Sequence, residues 1–478
     1  MGSSFFFYDL ETSGFNPREA RIMQFGGQRT DLTLKPIGEP VDMLIKMTDD
    51  ILPDPDAVLV TGITPQMTLA DGVTEAEFLR FFTAEIALPD TIFVGFNTIR
   101  FDDEFMRTLH YRNFYDPYEW QWQDNRSKWD LLDVVRMTRA LRPDGIAWPF
   151  DVEGNPTNRL ELVTAMNKLD HAEAHNALSD VQATIEVARL IRNKQERLFD
   201  YLFLMRQKTK LAELVEADEP FVYTSGRYSG EFQKTTVAVR VADCPGRSGC
   251  VLVYDLRHDP GIWINQTAEQ LAEAWRWKKD SDEPRLPVKR LQYNHCPAVA
   301  PLAVLDDASQ QRLDIDIKRV RANHAALKGN TQFVDNLHKA MAMLDTQQQT
   351  SLVSSSQDVD SRMYDGFLDN QDKQAIRVVR AANPDELGTL DLHFLDDRLR
   401  ALLPLYKARN YPKTLSHEER AEWDKLRAQK LLGGGQHSKL VKYFSRLQEI
   451  SEWDNLTSHQ QYLLEELRLY AESILPEE

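Results

Sequence analysis

Cysteine is scarce in this chain of 478 residues: Cys244, Cys250 and Cys296 are the only three. No two of them form a CxxC pair, so neither a disulfide framework nor a zinc site is supported, and a reducing cytoplasm fits. His295 beside Cys296 is a weak metal signal, outweighed by its reading as a surface loop. No apolar run is long enough to span a bilayer, so no membrane association is expected. The Phe-rich opening lacks the basic leader and cleavage site of a signal peptide. Positive charge is also short. A net charge of -17 argues against non-specific binding to nucleic acid over the whole surface, so a nucleic-acid reading must name a local groove. No internal repeat is present.

What is there divides into three textures, as the length suggests for two to four domains. Residues 1 to about 193 alternate strand-like and helix-like patterns, which predicts a mixed α/β layer fold. Phe5–Thr12 and Thr91–Gly95 read as buried strands, and Leu178–Ile191 reads as a helix. Pro220–Ile264 holds short β-rich runs such as Thr235–Val239 and Val251–Tyr254 between Gly and Pro turns, predicting a small barrel or sandwich. Helices are expected to follow, to about Leu344. Asp345–Gln357, rich in Gln, Ser and Thr, reads as a linker. Beyond it, amphipathic patterns predict an α-helical tail, with Leu463, Leu464, Leu467, Ala471 and Ile474 on one stripe and a break at Gly433–Gly435.

The chemistry starts at Asp9 and Glu11. Side chains alternate along a strand, so these two acids share one face inside an otherwise apolar segment. Two carboxylates held together repel and lose hydration, and a divalent cation relieves both. The plainer reading of an isolated D-x-E is a strand entering an acidic turn. Asp102 follows the second strand and a turn, at a position where an acid also suits a helix N-terminus. His175 and Asp180 surround a helix start that Asn176 is placed to cap. Residues five apart point in different directions on a helix, so His175 acts with Asp180 only from the preceding loop. Read alone, His175 is better explained as a surface or capping histidine.

Taken in order, Asp9, Glu11, Asp102, His175 and Asp180 resemble the DEDDh family of 3′→5′ exonucleases, and Thr12 and Gly14 fit its usual first motif. The segments Arg100–Glu104, Tyr111–Tyr118, Trp129–Asp133, Arg197–Leu202 and Leu405–Pro412 narrow this: they resemble bacterial exonuclease I along nearly the whole chain. Leu10 and Ser13 depart from the aromatic residues frequent in that subfamily. The resemblance implies a ribonuclease H-like exonuclease domain (1–193), an SH3-like β-rich domain with associated helices (196–349) and an α-helical C-terminal domain (355–478). It implies a hydrolase that degrades single-stranded DNA from the 3′ end to 5′-mononucleotides, in recombination and mismatch repair. A DEDDh exoribonuclease and a non-catalytic single-strand-binding adaptor on a decayed nuclease fold are the alternatives.

The resemblance also implies roles. Asp9 bridges two Mg²⁺ ions, with Mn²⁺ as a substitute; Glu11 and Asp180 complete the first ion site and Asp102 holds the second. His175 accepts the proton of the attacking water, a role suited to an imidazole. A carboxylate-only ligand set suits a hard cation. Single-stranded bases stack on aromatics, and the stretch from Arg107 to Trp129 interleaves Arg with Tyr and Trp, although core packing explains many of these rings equally well. By motif match the expected DNA contacts are Glu11, Thr12, Arg107, Tyr118, Trp122, Arg136 and Arg159, with Arg159 clamping a terminal phosphate. A monomer is expected. Its expected protein partner is single-stranded DNA-binding protein, whose acidic C-terminal tail would meet Arg142 and Tyr201; packing and surface roles account for those two residues equally well.

Overall fold

The computed structural model describes residues 2–171, 175–276, 283–353, 358–390 and 392–475. They form two compact units that do not follow chain order. One contains residues 1–127, 172–182 and 356–478; the other contains 128–171 and 183–355.

In the first unit, strands β1 (Ser4–Thr12), β2 (Ile22–Thr30), β3 (Val41–Leu44) and β4 (Thr91–Gly95) lie in the order β3-β2-β1-β4. β1 runs antiparallel to β2 and parallel to β4. The period-2 pattern of β1 explains its place at the centre. Phe6, Tyr8 and Leu10 enter a core with Phe25, Phe78, Phe82, Phe93 and Trp120, each buried ring contributing about 1.5–3 kcal/mol. The opposite face of the same strand carries Phe5 and Phe7, also buried, and then Asp9 and Glu11 toward its C-terminal end. From β4 the chain passes through Asn97, in the left-handed region at φ 71°, into the helix Asp102–Arg112. The helix Ala177–Lys194 begins in this unit, where the amide of Ser179 donates to Asn176 Oδ1 at 3.2 Å, the expected cap.

The helical tail belongs to the same unit. Leu463, Leu464, Leu467 and Ala471 of the helix Ser458–Ser473 pack with Val58, Tyr443, Leu447 and Ile450, while Ile474 joins Met23, Met47 and Ile51. The expected break holds too: the helix His417–Leu432 stops before Gly433, and Gly434 takes φ 98°. A buried ion network ties the tail to the N-terminal residues. Arg409 donates to Asp360 and Asp50, Arg21 lies 3.3 Å from Asp360, and Lys430 reaches Asp50 at 2.8 Å. Beside it, Arg112 grips Glu75 through three bonds of 3.0, 2.8 and 2.5 Å.

The second unit begins near the short strand β5 (Ser127–Asp130) and is built on an antiparallel sheet. It comprises β6 (Phe221–Thr224), β7 (Thr235–Asp243), β8 (Cys250–Asp255), β9 (Val288–Gln292) and β10 (Ala298–Pro301), in the order β10-β6-β7-β8-β9. Two expectations fail here. The helix Thr331–Val353 runs through most of the segment read as a linker, and Asp345 pairs with Arg290 at 2.7 Å and Arg247 at 3.1 Å. Polar composition misled because this stretch extends an established helix, and Asp345 at its start is held by two ion pairs. Residues 354–357 lie outside the described residues. The second failure concerns cysteine: Cys244 and Cys250 form a disulfide across the β7–β8 turn. Antiparallel pairing brings residues six apart face to face there, with the Cys244 amide donating to the Cys250 carbonyl. Cys296 is buried, its thiol 3.2 Å from the Lys128 carbonyl, rather than in a surface loop. Among the described residues, no helix is long and apolar enough to cross a membrane.

Candidate active site

The C-terminal end of β1 and the first turn of the helix Ala177–Lys194 meet at three acids. Carboxylate oxygens of Asp9, Glu11 and Asp180 all lie within 4.8 Å of one another. Glu11 is buried and the other two are half-buried. Burial, then the charge of Asp180, pushes the Glu11 carboxyl up to about 8. Asp9 is held well above the usual carboxylate range by burial and then by Asp102, Glu11 and Asp180. Asp102 thus faces Asp9 electrostatically, from the first residue of its helix, although it stands outside the 4.8 Å triad. Three crowded oxygen donors, each opposing the ionisation of the next, fit a hard divalent cation, whose charge reverses the local balance.

The neighbour of Asp102 has a different job. Asp103 accepts the Tyr8 hydroxyl at 2.6 Å and is 3.5 Å from Arg107. That contact ties β1 to the helix Asp102–Arg112 and explains why two adjacent acids divide into one for the site and one for its frame. Tyr8 and Asp103 escaped the sequence reading. The signal was their adjacency to Asp9 and Asp102: alternation turns Tyr8 to the other face of its strand, and the helical step turns Asp103 away from Asp102.

His175 stands on the loop before the Asp180 helix, as its spacing requires, at φ 67° and exposed. Its ring is not among the clustered ligands. It lines a cavity of about 400 Å³ with Gln24, Asp42, Thr61, Met67 and Asn176.

The expected DNA contacts fall into distinct environments. Thr12 is buried, its hydroxyl donating to the Gly14 carbonyl at 2.9 Å. Arg107 is buried, bonded to Glu104 and to Gln121 at 3.1 Å, with its guanidinium 5.9 Å from the Tyr118 ring centroid. Trp122 is 60% exposed, whereas Tyr111, Trp120 and Trp129 are core residues. In the second unit Arg136 pairs with Asp133 at 2.6 Å, and Arg159 is exposed with Glu161 3.9 Å away. Arg142 is held by the Val304 carbonyl at 2.9 Å and Asp306 at 3.3 Å. Tyr201 packs against the core around Met205, Leu211 and Tyr293.

Residues 6–188 match the Exonuclease family model, 206–343 the Exonuclease I SH3-like domain and 357–474 the Exonuclease I C-terminal domain. Exodeoxyribonuclease I of Escherichia coli K12 is 38% identical over 431 residues, 89% of this chain and 90% of that protein. The crystal structure of E. coli exonuclease I in complex with a dA16 oligonucleotide superposes with a TM-score of 0.93 at 38% identity, covering 99% of this chain and 100% of that one. A crystal structure of SSB/exonuclease I in complex with an inhibitor gives a TM-score of 0.90 at 36% identity, with the same coverage. A nuclease domain carrying the acid cluster, an SH3-like domain and a helical C-terminal domain, matched in that order, place this chain in the exonuclease I family, as a hydrolase of the exonuclease kind.

Proposed function

We propose that the chain removes 5′-mononucleotides from the 3′ end of single-stranded DNA, using divalent cations held by Asp9, Glu11 and Asp180, with Asp102 holding a second one. The observation that carries this reading is the mutual approach of the three carboxylates within 4.8 Å at a buried strand end. When bound, Mg²⁺ would activate the attacking water and stabilise the charge developing on the phosphate and the leaving 3′ oxygen. The residues of the chain do the rest. Asp9 and Glu11, fixed by β1, and Asp180, fixed by its helix, set the place at which the scissile phosphate is gripped. His175 takes the proton from the attacking water; its ring turns from the Gln24–Asp42 cavity toward the triad for that step. Apo arrangements of catalytic groups are often looser than those of the substrate complex.

Trp122 offers an exposed stacking face, and Arg159 an exposed cation for a terminal phosphate. Arg107 and Arg136 contact phosphates by exchanging their present carboxylate partners, and Tyr118 and Thr12 flank the terminal nucleotide. The domains run 1–193, 196–349 and 355–478, and the chain acts as a cytoplasmic monomer in recombination and mismatch repair. The acidic tail of single-stranded DNA-binding protein docks at Arg142, displacing Asp306, beside Tyr201. The relatives solved with an oligonucleotide and with SSB support both partners.

The deciding experiment uses end-labelled single- and double-stranded DNA and a matched RNA, with Mg²⁺, with Mn²⁺ and with chelator. Shortening of single-stranded DNA from its 3′ end, abolished by chelator and restored by either cation, is the expected result. Preference for RNA would reassign the substrate. Binding without hydrolysis would support an adaptor.

A further inference from the structure

We propose that Gln24 and Gly26 are positioning residues of the acid cluster: the two β2 residues opposite Glu11 and Asp9 seat the start of the helix that carries Asp180. The inference rests on the reading of Asp9, Glu11 and Asp180 as a cation site.

The register supplies the placement. Gln24 lies directly across from Glu11, and Gly26 directly across from Asp9. Directly opposed residues of an antiparallel pair project from the same face, so both belong to the face of the acids rather than to the aromatic core. Gln24 is 4% exposed. Its Oε1 accepts the Ala177 amide at 3.1 Å, and its Nε2 donates to Asp42 Oδ1 at 2.8 Å. The amide orientation follows from the partners, since a backbone N–H needs an acceptor and a carboxylate a donor. Gln24 thereby satisfies one of the amides that a helix start leaves without an intrahelical acceptor, from a neighbouring strand rather than from within the helix.

Gly26 sets the distance. A Cβ there would sit 2.4 Å from the Ala177 carbonyl carbon and 2.5 Å from the Leu178 nitrogen, both backbone atoms that no rotamer change can move. Gly26 is not in the left-handed region, so what demands glycine is the approach of the helix and not the turn of the strand. Asp180 lies three residues after Ala177, less than one turn along a stiff element, so a lift or slide at Ala177 reaches Asp180 almost undiminished. Since Asp9 and Glu11 are fixed by β1, such a shift opens the triad.

Manganese titration calorimetry on the full chain without DNA, together with kcat and KM on a labelled oligonucleotide at saturating Mn²⁺, tests this. Gln24→Leu and Gly26→Ala are expected to weaken Mn²⁺ binding by about 10–100-fold, the scale seen when supports of metal ligands are removed, with oligonucleotide KM unchanged. Gly27→Ala is the control, because its Cβ would meet the Phe6 ring at 2.6 Å on the core side. It should lower the melting temperature and leave Mn²⁺ affinity intact. Gln24→Leu decides alone if Gly26→Ala does not fold. Wild-type Mn²⁺ affinity in Gln24→Leu, with binding lost in Asp180→Asn, overturns the inference and leaves the site standing. Wild-type affinity in Asp180→Asn overturns both. Equal weakening in Gly27→Ala reduces the effect to general strain and also overturns the inference.

Discussion

Two groups of buried acids in the first unit behave in opposite ways. Asp9 and Glu11 are pushed up, the latter to about 8, while Asp50, Asp360 and Glu75 are pulled below the ordinary carboxylate range. Burial is the largest influence in every case and always acts upward. What reverses it at Asp50 and Asp360 is Arg409, Lys430 and Arg21, and at Glu75 it is Arg112. The influences raising Glu11 are burial and another acid. Burial of an acid is therefore no mark of function by itself. Acids whose charge the fold has already balanced hold the chain together; acids crowded against one another are left with burial and repulsion that no cation of the chain offsets.

That contrast is breakable. Asp9→Asn should lower hydrolysis of single-stranded DNA by about 10³-fold or more, the scale of lost metal-assisted charge stabilisation. In chelator the same variant should melt no lower than wild type, because a repulsion has been removed. A variant that melts well below wild type would make Asp9 a structural acid.

The opposite experiment is Arg409→Met. It leaves Asp50 and Asp360 buried with less compensation and should cost about 3–5 kcal/mol in urea unfolding. It should also change the acid response. The depressed carboxyls contribute stability above their unfolded value, near pH 4, and that stability is lost as pH falls through their lower folded values. Wild type should therefore lose stability on acidification below pH ~4, and Arg409→Met should lose less. Parallel acid profiles would show that the network contributes nothing through these groups. Glu11 has the other sign: its raised carboxyl costs the cation-free fold stability as pH rises from about 4.5 toward about 8.

His175→Ala sharpens the functional side. Turnover should fall by about 10²-fold or more with little change in oligonucleotide affinity; an unchanged rate and pH–rate profile would remove His175 from the chemistry. Trp122→Ala should have the smallest effect, about 1–3 kcal/mol of single-strand affinity, read by fluorescence anisotropy in chelator. Unchanged affinity would leave Trp122 an exposed ring without a substrate role.

Local pattern made much of this molecule legible. β1 and β4 follow from runs that alternate or stay apolar, Asp102 does open its helix, and Asn176 caps the helix of Asp180. The tail stripe from Leu463 to Ile474 is buried as its period demands. Composition was a poorer guide. The Gln- and Ser-rich stretch after Asp345 continues a helix to Val353, and the ring-rich stretch from Tyr111 to Trp129 is divided between core and surface with no local cue to which ring goes where.

By itself, the order of residues determined which acids are available, which strand or helix carries each, and which face of that element they share, because periods of two and 3.6 are written into neighbouring positions. Tertiary structure decided the rest. Arg409 finds Asp50 at a separation of 359 residues and Arg21 finds Asp360 at 339, and nothing near either residue in sequence announces its partner. The same holds for the Gln24 contact to Ala177, 153 residues on. Long loops close at a cost that grows only slowly with length, so pairing at such separations is set by which surfaces fit once the elements exist, a choice that leaves no periodic trace in the chain.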